Sequence, residues 1–111
     1  MLVKNRLILA LDLQDFESAK RIVEEVCDLV DGIKIGYPLL LSYGSGVTRE
    51  LAEKEVIWDL KLADIPHING TIARKAFESG ASRIIVRSLI LKILLNNIKE
   101  AANGGDLFVV V

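Results

Sequence analysis

Cysteine occurs once in this chain, at Cys27, and histidine once, at His67. A single thiol cannot close an internal disulfide, which fits a reducing compartment, and a cytoplasmic location is expected. Cys27 falls on the apolar side of a helical pattern, where a thiol packs rather than reacts. One histidine and one cysteine cannot supply a His/Cys metal cluster, and a lone loop histidine is ordinarily solvated. An excess of either charge is also missing: 14 basic and 15 acidic side chains, mixed along the chain, leave a net charge of -1. That balance supports neither non-specific nucleic-acid binding nor a polybasic membrane anchor. Long apolar runs are absent too. The greasiest stretch, residues 89–98, is broken by Lys92, Asn96 and Asn97 and is too short to span a bilayer. Lys4 and Arg6 precede only a brief apolar run that stops at Asp12, so no secretory leader is read. The expectation is a soluble protein with neither nucleic acid nor membrane as partner.

What the chain does have is apolar residues, 51% of 111 positions, enough for one domain over residues 1–111 with several buried strands. Short apolar runs alternate with longer amphipathic ones. Residues 6–12 read as a buried strand ending in an acid. From 15 to 30, Phe16, Ala19, Ile22, Val23, Val26 and Val30 recur at helical spacing, with Asp15 as N-cap. Residues 32–36 form a second strand, leading through Tyr37-Pro38 to a short helix near 47–54. Residues 55–61 form a third strand, followed by a helix over 69–79 that Gly80 closes. A fourth strand, 83–87, precedes a helix running through Ala102 to the stop at Asn103-Gly104-Gly105. Leu107 begins a fifth strand. Strand starts thus recur at roughly 25-residue intervals, the rhythm of right-handed strand–helix–strand units in a parallel sheet. An open doubly wound sheet and part of an eight-stranded barrel both fit, and both place ligand chemistry at the C-terminal strand ends.

The charged residues follow that placement. Asp12 ends the first strand, Lys34 sits late in the second, and Asp59 and Lys61 end the third. If 55–61 is a strand, side-chain alternation puts Asp59 and Lys61 on one side. Asp64 follows in a loop that Pro66 stiffens. Any one of these alone reads as a solvated strand end; together they read as an active-site edge. Alternating carboxylates and ammonium groups keep one another ionised. Such an array can press a carboxylate against substrate charge, or hold an ammonium where a carbanion forms and then supply the proton. A magnesium ion between Asp12 and Asp59 is the alternative use of the same acids.

Three segments carry a family resemblance: Leu9-Ala10-Leu11-Asp12, then Ile33-Lys34-Ile35-Gly36-Tyr37-Pro38-Leu39, then Asp59-Leu60-Lys61-Leu62-Ala63-Asp64-Ile65-Pro66. The chain resembles the orotidine 5'-phosphate decarboxylases in their compact archaeal form. The third segment is the specific signature, and the others stand in the right order and spacing. The resemblance runs from about Arg6 to Val111 and covers the first half of a barrel that typically takes ~250 residues. It implies a parallel (β/α) half-barrel, about the first five strands of a (β/α)8 barrel.

It also implies the roles. Asp12 would bind the ribose hydroxyls. Lys34, Asp59, Lys61 and Asp64 would form a charged tetrad, Lys34 and Ile65 also contacting substrate. Asp64 and Ile65 would reach into the neighbouring subunit's site across a dimer. Asp59 would sit near the substrate carboxylate, and Lys61 would stabilise and protonate the carbanion left when carbon dioxide departs. No cofactor or metal would be used, and the product would be uridine 5'-phosphate, in pyrimidine synthesis. Two departures stand out: Ile68 where the family usually has Thr, and Arg87-Ser88-Leu89-Ile90 where a His and a Gly-containing loop are common. The family's mobile loop and phosphate-gripping groups lie beyond the position of Val111. Weak or no turnover is therefore expected from the isolated chain, with a homodimer or a complementary half-barrel as partner. The other readings are a magnesium-dependent hexulose-phosphate synthase or keto-sugar-phosphate decarboxylase, a non-catalytic half-barrel remnant, and a phospho-accepting receiver on a doubly wound sheet.

Overall fold

The computed structural model describes residues 3–88, 96, 98, 100 and 106–110. Five strands form one sheet: β1 (Ile8–Leu11), β2 (Gly32–Ile35), β3 (Glu55–Leu62), β4 (Arg83–Arg87) and β5 (Asp106–Val110). Neighbours in space are neighbours in sequence, in the order β1-β2-β3-β4-β5, and every pairing is parallel. An open doubly wound sheet reverses its strand order, as does a receiver, so the unreversed order removes both of those readings and leaves the barrel type. Helices α1 (Phe16–Val26), α2 (Tyr37–Tyr43), α3 (Val47–Glu50) and α4 (Pro66–Glu78) occupy the crossovers.

The helix boundaries follow local chemistry. Asp15 caps α1 by accepting the Ser18 N–H at 2.9 Å. Beyond Val26 the chain tightens into a 3₁₀ turn, Cys27–Leu29, so the helix is shorter than the 15–30 periodicity suggests. Cys27 is half-buried there, and Ile22, at the flank of the apolar stripe, is exposed. Helix α2 is a correction, since residues 37–43 read only as a lead-in. Pro38 lies in its first turn and Gly44, at φ 82°, ends it. Helix α3 spans four residues rather than 47–54. Helix α4 starts three residues earlier than expected because Pro66, lacking an N–H, suits the first turn. It closes at Gly80, φ 103°, with Gly80 N–H on Phe77 O and Ala81 N–H on Ala76 O. The helix expected after Arg87 lies largely outside the described residues; Asn96, Ile98 and Glu100 are helical and Ile98 is fully buried.

Alternation along the strands creates two faces. Ile33, Ile35, Val56, Trp58, Ile84 and Val86 pack with Phe16, Ala19, Val23, Leu39, Ala73 and Ala76 into the helix-side core. Trp58 keeps its polar edge satisfied there, donating from Nε1 to Thr48 Oγ1 at 2.9 Å. The opposite face carries Lys34, Ile57, Asp59, Arg83 and Ile85. Near the N-terminal strand ends of that face, Arg83 pairs with Glu55 at 2.6 Å and Asp106 at 3.0 Å, its guanidinium 5.6 Å from the Phe108 ring centre. These contacts lace β3, β4 and β5 together. On the same face Ile8, Phe108 and Val110 are exposed.

This asymmetry predicts unequal mutational costs. Ile84→Ala, in the helix-side core, is expected to lower stability by ~2–5 kcal/mol, whereas Ile8→Ala at the exposed margin of the opposite face should cost ~1 kcal/mol or less. Urea unfolding of the two variants measures the difference. Equal, large losses would show that the sheet face bearing Ile8 is covered in solution.

Candidate active site

Lys34 stands opposite Ile57 in the β2–β3 ladder, so Asp59 lies two residues further along the same face, toward the C-terminal strand ends. From there the Asp59 carboxylate accepts hydrogen bonds from two ammonium groups. Lys34 Nζ reaches Oδ2 at 3.1 Å, and Lys61 Nζ reaches Oδ1 at 3.0 Å and Oδ2 at 2.9 Å. The Asp59 side chain is 10% exposed, against 26% for Lys34 and 46% for Lys61. Burial alone would raise the carboxyl pKa of Asp59. The hydrogen bonds from Lys61 and Lys34, with their positive charges, outweigh burial and hold it below the ordinary aspartate value. Asp59 is thus a fixed anion with two donors in place.

Lys61 does not arrive by regular strand alternation. Asp59 pairs with Ile85 and Leu62 with the very next residue of β4, Val86, so Leu60 and Lys61 bulge out of the ladder. Lys61 takes φ 45°, a left-handed conformation that costs a side-chain-bearing residue ~1–2 kcal/mol. The two residues meet as the sequence suggested, through strained backbone rather than an even pleat. Such strain persists only where the surroundings enforce it.

Asp12 follows β1, exposed. A methyl group placed on Gly36 would stand 3.7 Å from Asp12 Oδ1 and 3.5 Å from the Asp59 carbonyl oxygen, so Asp12 borders the same pocket lip. Its carboxylate makes no hydrogen bond or ion pair among the described residues, which leaves it open to accept from a ligand. Asp64 behaves differently. Within this chain its carboxylate accepts from the Ile65 N–H at 2.7 Å and does not join Lys34, Asp59 or Lys61. Ile65 is 63% exposed, and Ile68 and Arg87 also lie at the surface.

Asn69 was missed in the sequence. Fully buried in the first turn of α4, it accepts the Asp64 N–H at 2.8 Å and donates to the Asp64 carbonyl at 2.6 Å. This reciprocal pair locks the loop that presents Asp64 and Ile65, and leaving those groups unpaired would cost ~1–3 kcal/mol. A polar residue in the first turn of a proline-started helix was the available signal. The N-terminal strand ends hold a recess of about 270 Å³, lined in part by Lys4, Asp28, Lys54 and Glu55. Its Asp31 accepts from the backbone N–H groups of Lys4, Asn5 and Arg6. The Lys4 bond leads in holding the Asp31 carboxyl below its usual range, against the opposing effect of burial. That end braces the chain; the ionic array is at the other.

With this geometry in view, comparison with known proteins is decisive. A family model described as orotidine 5'-phosphate decarboxylase / HUMPS family matches residues 5–111. The chain belongs to that family. It is 46% identical over 110 residues to an orotidine 5'-phosphate decarboxylase of Methanosarcina barkeri, covering 96% of this chain and 50% of the relative. The corresponding Pyrococcus furiosus protein is 39% identical over 108 residues, with 95% and 50% covered. Among solved structures, the orotidine 5'-monophosphate decarboxylase of Methanocaldococcus jannaschii, complexed with the inhibitor BMP, superposes with a TM-score of 0.90 at 39% identity. That match covers 95% of this chain and 51% of the other. The Pyrococcus horikoshii enzyme gives a TM-score of 0.87 at 40% identity, covering 94% and 50%. The chain spans about half the length of the curated relatives it matches. The parallel half-barrel expected from sequence is therefore shown. Among the described residues, no helix is long and apolar enough to cross a membrane.

The depressed Asp59 pKa has a signed consequence. A carboxyl whose folded pKa lies below its ordinary value of 3.8 stabilises the fold fully above that value, and the contribution is lost as pH falls through the lower folded one. Lys34→Met removes one donor, so the acid limb of the stability profile should move to higher pH. Stability at neutral pH should drop by ~1 kcal/mol, because Lys61 still pairs with the carboxylate. Urea unfolding across pH ~2–7, which spans the aspartate range, reads both. An unmoved acid limb would mean that Lys34 does not hold Asp59 in solution.

Proposed function

We propose that this chain carries the charged catalytic edge of an orotidine 5'-phosphate decarboxylase, converting orotidine 5'-phosphate to uridine 5'-phosphate and carbon dioxide. The observation that carries the proposal is the Asp59 carboxylate held between Lys34 and Lys61 at the C-terminal end of β3. A fixed anion beside the substrate carboxylate disfavours the bound acid relative to the transition state, in which that charge leaves as carbon dioxide. The Lys61 ammonium then faces the carbon that gains an electron pair, stabilises the carbanion and gives it a proton. Asp12 accepts from the ribose hydroxyls, and Lys34 orients Asp59 while contacting substrate. Asp64 bonds to its own loop rather than to this chain's array, and Ile65 is exposed, which supports their serving the site of a second subunit. None of these steps calls on a metal or cofactor.

The partner follows from apolar side chains left exposed on β1 and β5, on the sheet face opposite the helices. Ile8, Phe108 and Val110 are exposed where a complete barrel has further strands, so a complementary half-barrel or a second copy is the proposed cover. Ile65-Pro66 and Gly36-Tyr37-Pro38 favour the nucleotide enzyme over a magnesium-dependent sugar-phosphate member of the family; a magnesium requirement would reverse that order.

Purified chain is to be assayed with orotidine 5'-phosphate alone and after addition of the second half of a relative's barrel. We expect turnover to be weak or absent alone, to appear with the added half, and to fall at least ~100-fold in Lys61→Ala, as for loss of a general acid. Full activity of the chain by itself would contradict its dependence on a partner. No turnover in either mixture, with no thermal stabilisation by uridine 5'-phosphate, would favour the non-catalytic remnant instead.

A further inference from the structure

The strained Lys61 backbone needs a restraint, and the structure contains one on the neighbouring strand's crossover. Tyr37, the first residue of α2, donates from its hydroxyl to the Leu60 carbonyl oxygen at 2.8 Å. That oxygen belongs to the peptide unit joining Leu60 to Lys61, so its direction sets the plane from which φ of Lys61 turns. Strand β2 pairs with β3 only as far as Ile35 opposite Trp58, so Leu60 lies beyond that ladder, and the Tyr37 phenol from the crossover after β2 supplies its carbonyl with a donor.

We propose that Tyr37 is a positioning residue: its hydroxyl clamps the Leu60–Lys61 peptide in the left-handed turn that delivers the Lys61 ammonium to Asp59. The significance for catalysis rests on the decarboxylase reading, in which Lys61 is the proton donor; the clamp itself does not. The same crossover carries Lys34 three residues earlier, on β2. One segment therefore sets both ammonium groups against Asp59, Lys34 directly and Lys61 through the Tyr37 hydroxyl.

Half of the Tyr37 surface is exposed, and Tyr37→Phe keeps the ring while removing only the donor. The test follows the Asp59 carboxyl by ¹³C NMR titration of the full chain. Trp58 fluorescence is read in parallel, since Trp58 is anchored to Thr48 on the opposite face. Tyr37→Phe is expected to move the Asp59 midpoint upward, as Lys61→Met does, with native Trp58 emission. Combined with Lys61→Met it should add nothing further; combined with Lys34→Met it should add its full effect. An Asp59 midpoint unchanged by Tyr37→Phe overturns the proposal. So does an equal increment in both backgrounds, or loss of native Trp58 emission, because each describes general loosening rather than a clamp on Lys61. The readout uses no substrate, so its failure is distinct from failure of the turnover assay.

Discussion

One nearly buried carboxylate shared by two ammonium groups is the constraint on which the rest of this structure depends. At 10% side-chain exposure, the Asp59 carboxylate is held as an anion by donors already in place, against the opposing effect of burial. That requirement dictates architecture. Lys34 must come from the strand beside Asp59, in parallel register, and Lys61 must come from the same strand by a route that regular pleating does not provide. The consecutive β1-β2-β3 order satisfies the first condition and the bulge at Leu60-Lys61 the second.

The backbone around the site shows how such a constraint is supported. The left-handed Lys61 is held from two sides, by its bonds to Asp59 and by the Tyr37 hydroxyl on the preceding carbonyl. Each bond is individually modest, of the same order as the conformational cost it offsets, so the geometry is a joint product. The loop beyond is pinned by Asn69, whose buried amide both accepts from and donates to the Asp64 backbone. At the opposite strand ends, charge does a different job. Arg83 ties Glu55 to Asp106, and Asp31 gathers the N-terminal amides. Charges at one rim complete bonds within the chain; at the other, the Asp12 carboxylate and much of Lys61 face outward.

The sequence made much of this legible, for identifiable reasons. Buried parallel strands read clearly because each is a short apolar run between turn residues, and acids and lysines at their ends marked the rim at which the ionic array forms. Lys34, Asp59 and Lys61 converge as expected. The misses share a physical character. Helix α2 was hidden because a seven-residue segment with three consecutive leucines has no amphipathic period to detect. The bulge was invisible because a strand pattern assumes one residue per ladder step. Asn69 and Tyr37 act on backbone carbonyls and amides, and such contacts leave little trace in residue spacing. Asp64 is a different case: the resemblance assigns it to a neighbouring subunit's site, and within one chain it accepts from the Ile65 N–H.

The central claim is that Asp59 simultaneously holds both lysines, and lysine ammonium ¹H–¹⁵N NMR tests it most directly. At low temperature, ammonium protons held in hydrogen bonds exchange slowly enough to be seen, whereas solvated ones are lost. The account predicts distinct signals for Lys34 and Lys61 that both collapse in Asp59→Asn. Persistence of both signals in Asp59→Asn, or their absence in the unaltered chain, would contradict it.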